Sequence, residues 1–167
     1  MNSIHSKLFL FLLIITFIQS ESCKDTINDD VPYISIDIVL DLQADLSYVG
    51  VGQTAILTPD PQGSTILTFS SSKYSPITLG QFLQGNGLII YRKSADEFAV
   101  YDITCTYKAS IDYCALEMDD TWLIPKCPCC GSEFNILLEG SPVSGPAAMA
   151  LKQYSCFIRN NQLYIRN

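Results

Sequence analysis

The stretch KCPCCGSEF, residues 126–134, places three cysteines close together: Cys127, Cys129 and Cys130. Closely spaced thiols bind soft metal ions, pair as disulfides or carry redox chemistry. The chain has one histidine, His5, near its first residue. Because histidine is the usual partner of cysteine in catalytic and metal sites, the chemistry of this stretch must rest on sulfur.

The elements that must position these sulfurs are predicted to be β-strands. Polar or aromatic residues alternate with isoleucine from Tyr33 to Ile38, the period of a half-buried strand. Turn signals such as PDPQG and QGNG separate further short apolar runs, and ITLGQFL is predicted to form a turn or two of helix. The sequence therefore predicts an antiparallel all-β domain over residues 33–167, with its other strands in the runs STILTF, GLIIYR, EFAVYDI, WLIPK, EFNILL, YSCFI and QLYIR.

The N-terminal run LFLFLLIITFI, residues 8–18, follows Lys7 and is typical of the hydrophobic core of a secretory signal. It is too short for a transmembrane helix, which needs roughly 20 residues. We therefore predict a signal peptide over residues 1–22 and an exported protein.

Cys23 lies where such a signal ends, and acidic residues follow it. This arrangement resembles a bacterial lipoprotein signal, in which the cysteine is lipidated, and the acidic stretch resembles tethers of surface lipoproteins of the Bacteroidetes. The resemblance implies lipidation at Cys23, a tether over residues 23–32, and attachment to the outer membrane or cell surface through the lipid. The alternative is cleavage by ordinary signal peptidase.

The charge of the chain argues against nucleic acid as a partner. Removing residues 1–22 leaves 145 of 167 residues, enough for one domain with a core, and the net charge stays at −7. An acidic chain repels phosphate backbones, and no basic stripe with interleaved aromatics is present.

The cysteines fall into two predicted loops, CTYKASIDYC with Cys105 and Cys114, and CPCCGS with the three cysteines above. This chain resembles the Rieske iron-sulfur domain, whose loops read Cys-Thr-His and Cys-Pro-Cys-His-Gly-Ser. The likeness covers about residues 88–167 and continues through Phe134, Gly140, Val143, Gly145-Pro146-Ala147 and Leu151. It implies a Rieske-like β-sandwich that brings the two loops together.

Both histidine positions of the Rieske pattern are changed, to Tyr107 and to Cys130, and Ser110 replaces one disulfide cysteine. The two imidazoles set the high potential of a Rieske centre, so we do not expect Rieske redox function. Tyr107 is expected to be an apolar cover for the loops. Some lipoproteins of the Bacteroidetes resemble the chain at the same positions.

One interpretation of the sulfurs is a four-thiolate site for zinc or a 2Fe-2S cluster, built from Cys105, Cys114, Cys127 and Cys130. Cys127 and Cys130 have the spacing of a metal knuckle. A 2Fe-2S cluster at this site would give the protein an electron-transfer function. However, folded Rieske proteins generally use a twin-arginine signal, and this signal has no arginine.

The favoured interpretation is disulfides without metal, because an oxidising envelope favours them. The resemblance implies two pairs, Cys105 with Cys127 and Cys114 with Cys129, and leaves Cys130 and Cys156 as thiols. The loops then form a structural or interaction module for an unknown protein partner, with no cofactor.

A third interpretation is thiol-disulfide catalysis, which needs a group that lowers a thiol pKa. Only Lys108 and Lys126 are available near the cysteines, and no hydrolase motif such as Gly-x-Ser-x-Gly is present. We therefore expect a non-enzyme.

Overall fold

The computed structural model describes residues 31–167, so the predicted signal peptide, Cys23 and most of the predicted tether lie outside the described residues. Val31 is buried, and the Pro32 carbonyl accepts a hydrogen bond from Lys152 Nζ at 3.2 Å. These two residues, predicted to be tether, therefore pack on the domain. No helix within residues 31–167 is long and apolar enough to cross a membrane.

The predicted all-β class is confirmed. Within residues 31–167, a short α-helix, α1, spans Ala109–Asp112, and a 3-10 helix spans Ile136–Leu138. The strands are β1 (Asp37–Asp41), β2 (Thr54–Pro59), β3 (Thr65–Phe69), β4 (Ile77–Leu79), β5 (Leu88–Arg92), β6 (Phe98–Asp102), β7 (Glu133–Asn135), β8 (Ser141–Ser144), β9 (Gln153–Arg159) and β10 (Gln162–Arg166).

The strands form an eight-stranded antiparallel sheet in the order β1-β10-β9-β6-β5-β2-β3-β4 and a separate β7-β8 hairpin. Only two residue pairs join β6 to β9, Val100 with Tyr154 and Tyr101 with Gln153. The sheet is curled, so residues from its two ends pack in one interior.

We call this interior the sheet core. It follows from strand alternation, since every second residue of a strand points to the same face. In β1, Ile38 and Leu40 are fully buried, and the same alternation buries Leu57 in β2. Its other large members include Leu46, Leu67, Phe69, Leu83, Leu88, Ile90, Val100, Leu163 and Ile165.

The opposite face of β5 and β6 is covered by residues 103–151, which contain the cysteine loops. We call this second interior the loop core. It consists of Ile89, Ala99, Tyr101, Ile103, Cys105, Cys114, Leu116, Cys127, Phe134, Ile136, Ala147 and Leu151. Strand β6 is therefore buried on both faces.

Gly87, immediately before β5, needs the absence of a side chain. Its φ is +129°, and a Cβ there would overlap the Leu57 carbonyl oxygen. The amide of Ile103 donates to the Gly87 carbonyl at 3.1 Å. The glycine thus lets β5 lie against β2 where the chain leaves β6 for the first cysteine loop.

Two predicted elements are wrong, and a third is only partly right, because EFNILL is strand over Glu133–Asn135 and 3-10 helix over Ile136–Leu138. ITLGQFL does not contain helix: Ile77–Leu79 is strand β4, and the Gln81 amide accepts from Val39 N–H at 2.8 Å and donates to its carbonyl at 2.6 Å. A side chain therefore pairs with the edge of β1 as a strand would. WLIPK is not a strand, because Trp122 has a φ of 60°; only Lys126 makes isolated bridges.

Candidate metal centre

Two loops carry the cysteines at one end of the loop core. The first runs from Cys105 to Cys114, contains α1, and is closed by the Cys105 amide donating to the Cys114 carbonyl at 2.9 Å. The second runs from Cys127 to Ser132, where the Cys127 amide donates to the Ser132 carbonyl at 2.8 Å. Gly131, with a φ of 77°, allows the tight return of the second loop.

A disulfide between Cys114 and Cys129 joins the two loops. This is one of the two pairs that the Rieske resemblance implied. An antiparallel β domain whose two cysteine loops are tied by a disulfide is the Rieske-like arrangement predicted from the sequence.

The second predicted pair is not formed, because Cys105 and Cys127 are free thiols. Cys105, Cys127 and Cys130 instead place their sulfurs within 4.8 Å of one another, and the Cys105 and Cys130 sulfurs are 3.7 Å apart. Cys130 therefore competes with Cys127 for the space beside Cys105. Sequence position alone could not reveal this competition among three sulfurs.

The predicted four-cysteine ligand set is also corrected. The Cys114 sulfur is held in the disulfide, so it is not available to a metal beside Cys105, Cys127 and Cys130. Three cysteines of the predicted set are free thiols that lie close together, and the fourth, Cys114, links the two loops through its disulfide.

The three thiols differ in environment. Burial raises the pKa of the Cys105 thiol strongly, a hydrogen bond with the Tyr107 backbone opposes the rise, and contacts with Cys127 and Cys130 add to it. Burial also raises the pKa of Cys130, but hydrogen bonds with the Ser132 side chain and backbone, and with Cys127 and Cys105, outweigh burial and leave it below its ordinary value. Negative charge is therefore easier to place on Cys130, at the rim, than on Cys105, at the base.

Ser132 links the second loop to the segment Gly145-Pro146-Ala147. Its buried hydroxyl oxygen accepts from the Ala147 amide at 3.0 Å and from the Cys130 thiol at 3.1 Å. Gly145 lies so close to Ser132 that a Cβ would overlap its backbone, and Gly145 has a φ of 82°. This role of Ser132 was missed, although the Gly-Ser and Gly-Pro-Ala motifs were noted.

The first loop is held by a buried carboxylate that the sequence analysis also missed. Asp102, at the end of β6, accepts from the Thr104 amide and from the Tyr154 hydroxyl, each at 2.8 Å. The Asn86 amide donates to the Thr104 hydroxyl at 3.0 Å and to the Tyr113 carbonyl at 2.9 Å. The only available signal was an aspartate ending an apolar strand.

Two other residues singled out in the sequence are Tyr107, which lies at the edge of the site, and Cys156, which lies away from it. Tyr107 packs partly buried against the loop core, with Lys108 Nζ 5.4 Å from its ring centroid. Cys156 is a free thiol that packs against the sheet core and donates to the Phe98 carbonyl at 3.3 Å. Cys156 is therefore not part of the sulfur cluster.

Comparison with known proteins gives similarities of shape at low identity. The chain is similar to the Sphingomonas yanoikuyae B1 ferredoxin, at 18% identity and a TM-score of 0.39, over 79% of this chain and 99% of that one. It is also similar to a chain of the complex of reduced oxygenase and oxidized ferredoxin in carbazole 1,9a-dioxygenase, at 19% identity and a TM-score of 0.38, over 77% and 93%. No protein-family model and no curated protein matches the chain.

Proposed function

We propose that this chain is an exported, non-enzymatic lipoprotein whose Rieske-like domain binds one thiophilic metal ion through Cys105, Cys127 and Cys130. The observation that carries the proposal is the convergence of three free thiols on one point between two loops. The thiols of Cys105 and Cys127 are buried, so the site is shielded on its protein side.

The spacing of the sulfurs fits a single ion. Two thiolates about 2.3 Å from one tetrahedral metal lie roughly 3.7 Å apart, and the Cys105 and Cys130 sulfurs are 3.7 Å apart. In the Rieske pattern these two positions bind different irons, whereas here their sulfurs are close enough to share one ion. With both histidines absent as well, the donor set does not fit the Rieske cluster.

Zinc is the ion that this donor set suits best. Zinc is bound by several thiolates, has no redox chemistry of its own, and accepts water or another donor as a fourth ligand. When bound, it would link the base of the first loop to both ends of the C-x-x-C turn. Structural zinc sites are closed by four protein ligands, so the structural role proposed here requires that another protein donor, rather than water, takes the fourth position.

A second candidate function is a metal-free structural or interaction module with an unknown protein partner. The Cys114–Cys129 disulfide favours it, since this bond already ties the two loops together without an ion. In this alternative Cys105 and Cys127 are buried small apolar groups, and Cys130 is a partly buried thiol at the rim of the loops.

Metal content of the full-length protein, isolated anaerobically from its host membranes, distinguishes these functions. We expect one zinc per chain and no visible colour. Cys130→Ser should lower zinc content at least tenfold, whereas the matched control Cys156→Ser should leave it unchanged. A red-brown sample with two irons per chain would show that the site binds an iron-sulfur cluster instead of zinc. Protein that lacks metal and takes up no added zinc would support the metal-free module instead.

Membrane attachment is tested separately. Cys23→Ala should release the protein from membranes and abolish incorporation of labelled fatty acid. Wild-type protein that is soluble with a free N-terminus would contradict the lipoprotein part of the proposal without affecting the metal site.

A further inference from the structure

Cys127 belongs to two sulfur groups at once. Its sulfur lies within 4.8 Å of Cys105 and Cys130, and it also lies within 4.8 Å of both sulfurs of the Cys114–Cys129 disulfide. A free thiol is thus held next to a disulfide in the same protein, which is the arrangement required for thiol–disulfide exchange.

The participants differ in exposure. Cys127 is 1% exposed, while Cys129 is exposed to solvent on the outer side of the second loop. Exchange that puts Cys127 into the disulfide and releases Cys129 would therefore move the free thiol from the interior to the surface.

We propose that Cys127 exchanges with the Cys114–Cys129 disulfide and presents Cys129 as a surface thiol. The Cys127 thiolate attacks the Cys114 sulfur, a Cys127–Cys114 bond forms, and the Cys114–Cys129 bond breaks. The bonding electron pair leaves on Cys129, which takes up from water the proton that Cys127 gave up. One disulfide replaces another, so the step needs no oxidant or reductant.

Cys114 is the favoured point of attack. A bond from Cys127 to Cys129 would close a small ring across Pro128 alone, whereas a bond to Cys114 keeps the two loops linked. Attack on Cys114 also expels the sulfur that water can solvate, and the leaving thiolate influences the rate of exchange.

The exchange is coupled to the metal site, and this coupling rests on the proposed function. A Cys127 sulfur bound to a metal is not available for attack, so zinc should hold the disulfide at Cys114–Cys129. Without metal, the exposed Cys129 thiol would offer a reactive group to a partner that carries a disulfide or another thiol-reactive centre.

The test uses full-length protein in detergent, without reductant, treated with a charged maleimide and mapped by peptide mass spectrometry. In metal-free protein we expect maleimide on Cys129 together with a Cys114–Cys127 peptide. Cys127→Ser should reduce labelling of Cys129 at least tenfold, and one equivalent of zinc should do the same to the wild type. In the control variant Cys156→Ser, maleimide should label Cys129 to the same extent as in the wild type.

Cys105→Ser guards against a folding defect in Cys127→Ser, because it perturbs the same site but keeps the attacking thiol and should still label Cys129. An unlabelled Cys129 in metal-free wild type, or equal labelling with and without Cys127, would overturn the inference. Zinc binding with no labelling would overturn the exchange alone, and labelling that zinc does not affect would overturn the coupling.

Discussion

The sheet core and the loop core share strands β5 and β6 but are held together differently. The sheet core is almost wholly aliphatic and aromatic, and strand alternation builds it. The loop core combines apolar side chains with three buried cysteines, and a disulfide and a buried carboxylate hold its loops in place. An interior made from strands needs only apolar alternation, whereas one made from loops needs a few specific bonds. Single substitutions should therefore disturb the loop core more readily than the sheet core.

The largest effect should come from the apolar centre of the loop core. Phe134 is fully buried in β7, and Phe134→Ala should lower the free energy of unfolding by about 4 kcal/mol through lost burial and a cavity. Urea unfolding measures the change, with Leu138→Ala, in the exposed 3-10 turn, as a control expected to cost less than about 0.5 kcal/mol. Equal losses in the two variants would show that the loop core contributes little to stability.

Removing the disulfide should come next. The double substitution of Cys114→Ala and Cys129→Ala releases a link across 15 residues, and chain entropy predicts a loss of about 3 kcal/mol. Adding reductant to the wild type should give a similar loss, and adding it to the double variant should give none. A wild type whose unfolding midpoint is insensitive to reductant would contradict this expectation.

The carboxylate that holds the first loop should contribute less. Tyr154→Phe deletes the hydroxyl that donates to buried Asp102, leaving that acceptor short of one partner at a cost of about 2 kcal/mol. The control is Tyr164→Phe, whose partly buried hydroxyl donates to the side chain of Gln162, with a cost below about 0.5 kcal/mol. Comparable costs would mean that Asp102 does not depend on Tyr154.

The smallest effect concerns the turn at Asp119. Burial raises the pKa of this carboxyl, but hydrogen bonds from the Thr121 hydroxyl and from the amides of Ile124, Thr121 and Leu123 outweigh burial and lower it. A lowered pKa gives stability that is present above the unfolded value of about 3.9 and is lost as pH falls through the folded value.

Asp119→Asn should therefore cost about 1 kcal/mol at pH 7 and progressively less below about pH 4. Chemical unfolding at several pH values measures the difference, with exposed Asp120→Asn as the control, expected to show no such trend. A cost for Asp119→Asn that grows as pH falls would show that the sign is wrong.

Much of the fold could be predicted because it depends on short-range patterns. Of the alternation predicted from Tyr33 to Ile38, the last two residues lie in β1, which continues to Asp41, and the run EFAVYDI contains β6. The errors fall where a side chain replaces a strand, as Gln81 does beside Val39, or where a residue takes positive φ, as Trp122 does. Neither feature has a local periodic signature.

The candidate site could be predicted only in part. The loop positions of the cysteines and the Cys114–Cys129 bond agree with the resemblance, because the order of motifs determines which loops meet. The grouping of Cys105, Cys127 and Cys130 could not be predicted, because it depends on how the Gly131 turn and Ser132 direct the Cys130 side chain.

Strand β6 has an interior on each side, with Phe98 and Val100 in the sheet core and Ala99 and Tyr101 in the loop core. In an ordinary strand a one-residue slip is opposed because apolar side chains would reach water. Here a slip would keep the apolar side chains of Phe98–Tyr101 away from water, but it would place a tyrosine where the sheet core holds Val100 and a valine where the loop core holds Tyr101. It would also move the Asp102 carboxylate away from the Tyr154 hydroxyl. Over its apolar residues the register of β6 is therefore specified by size, and Asp102 adds a polar constraint at the end of the strand. Substitutions that even out the side-chain volumes should leave that carboxylate as the main determinant of register.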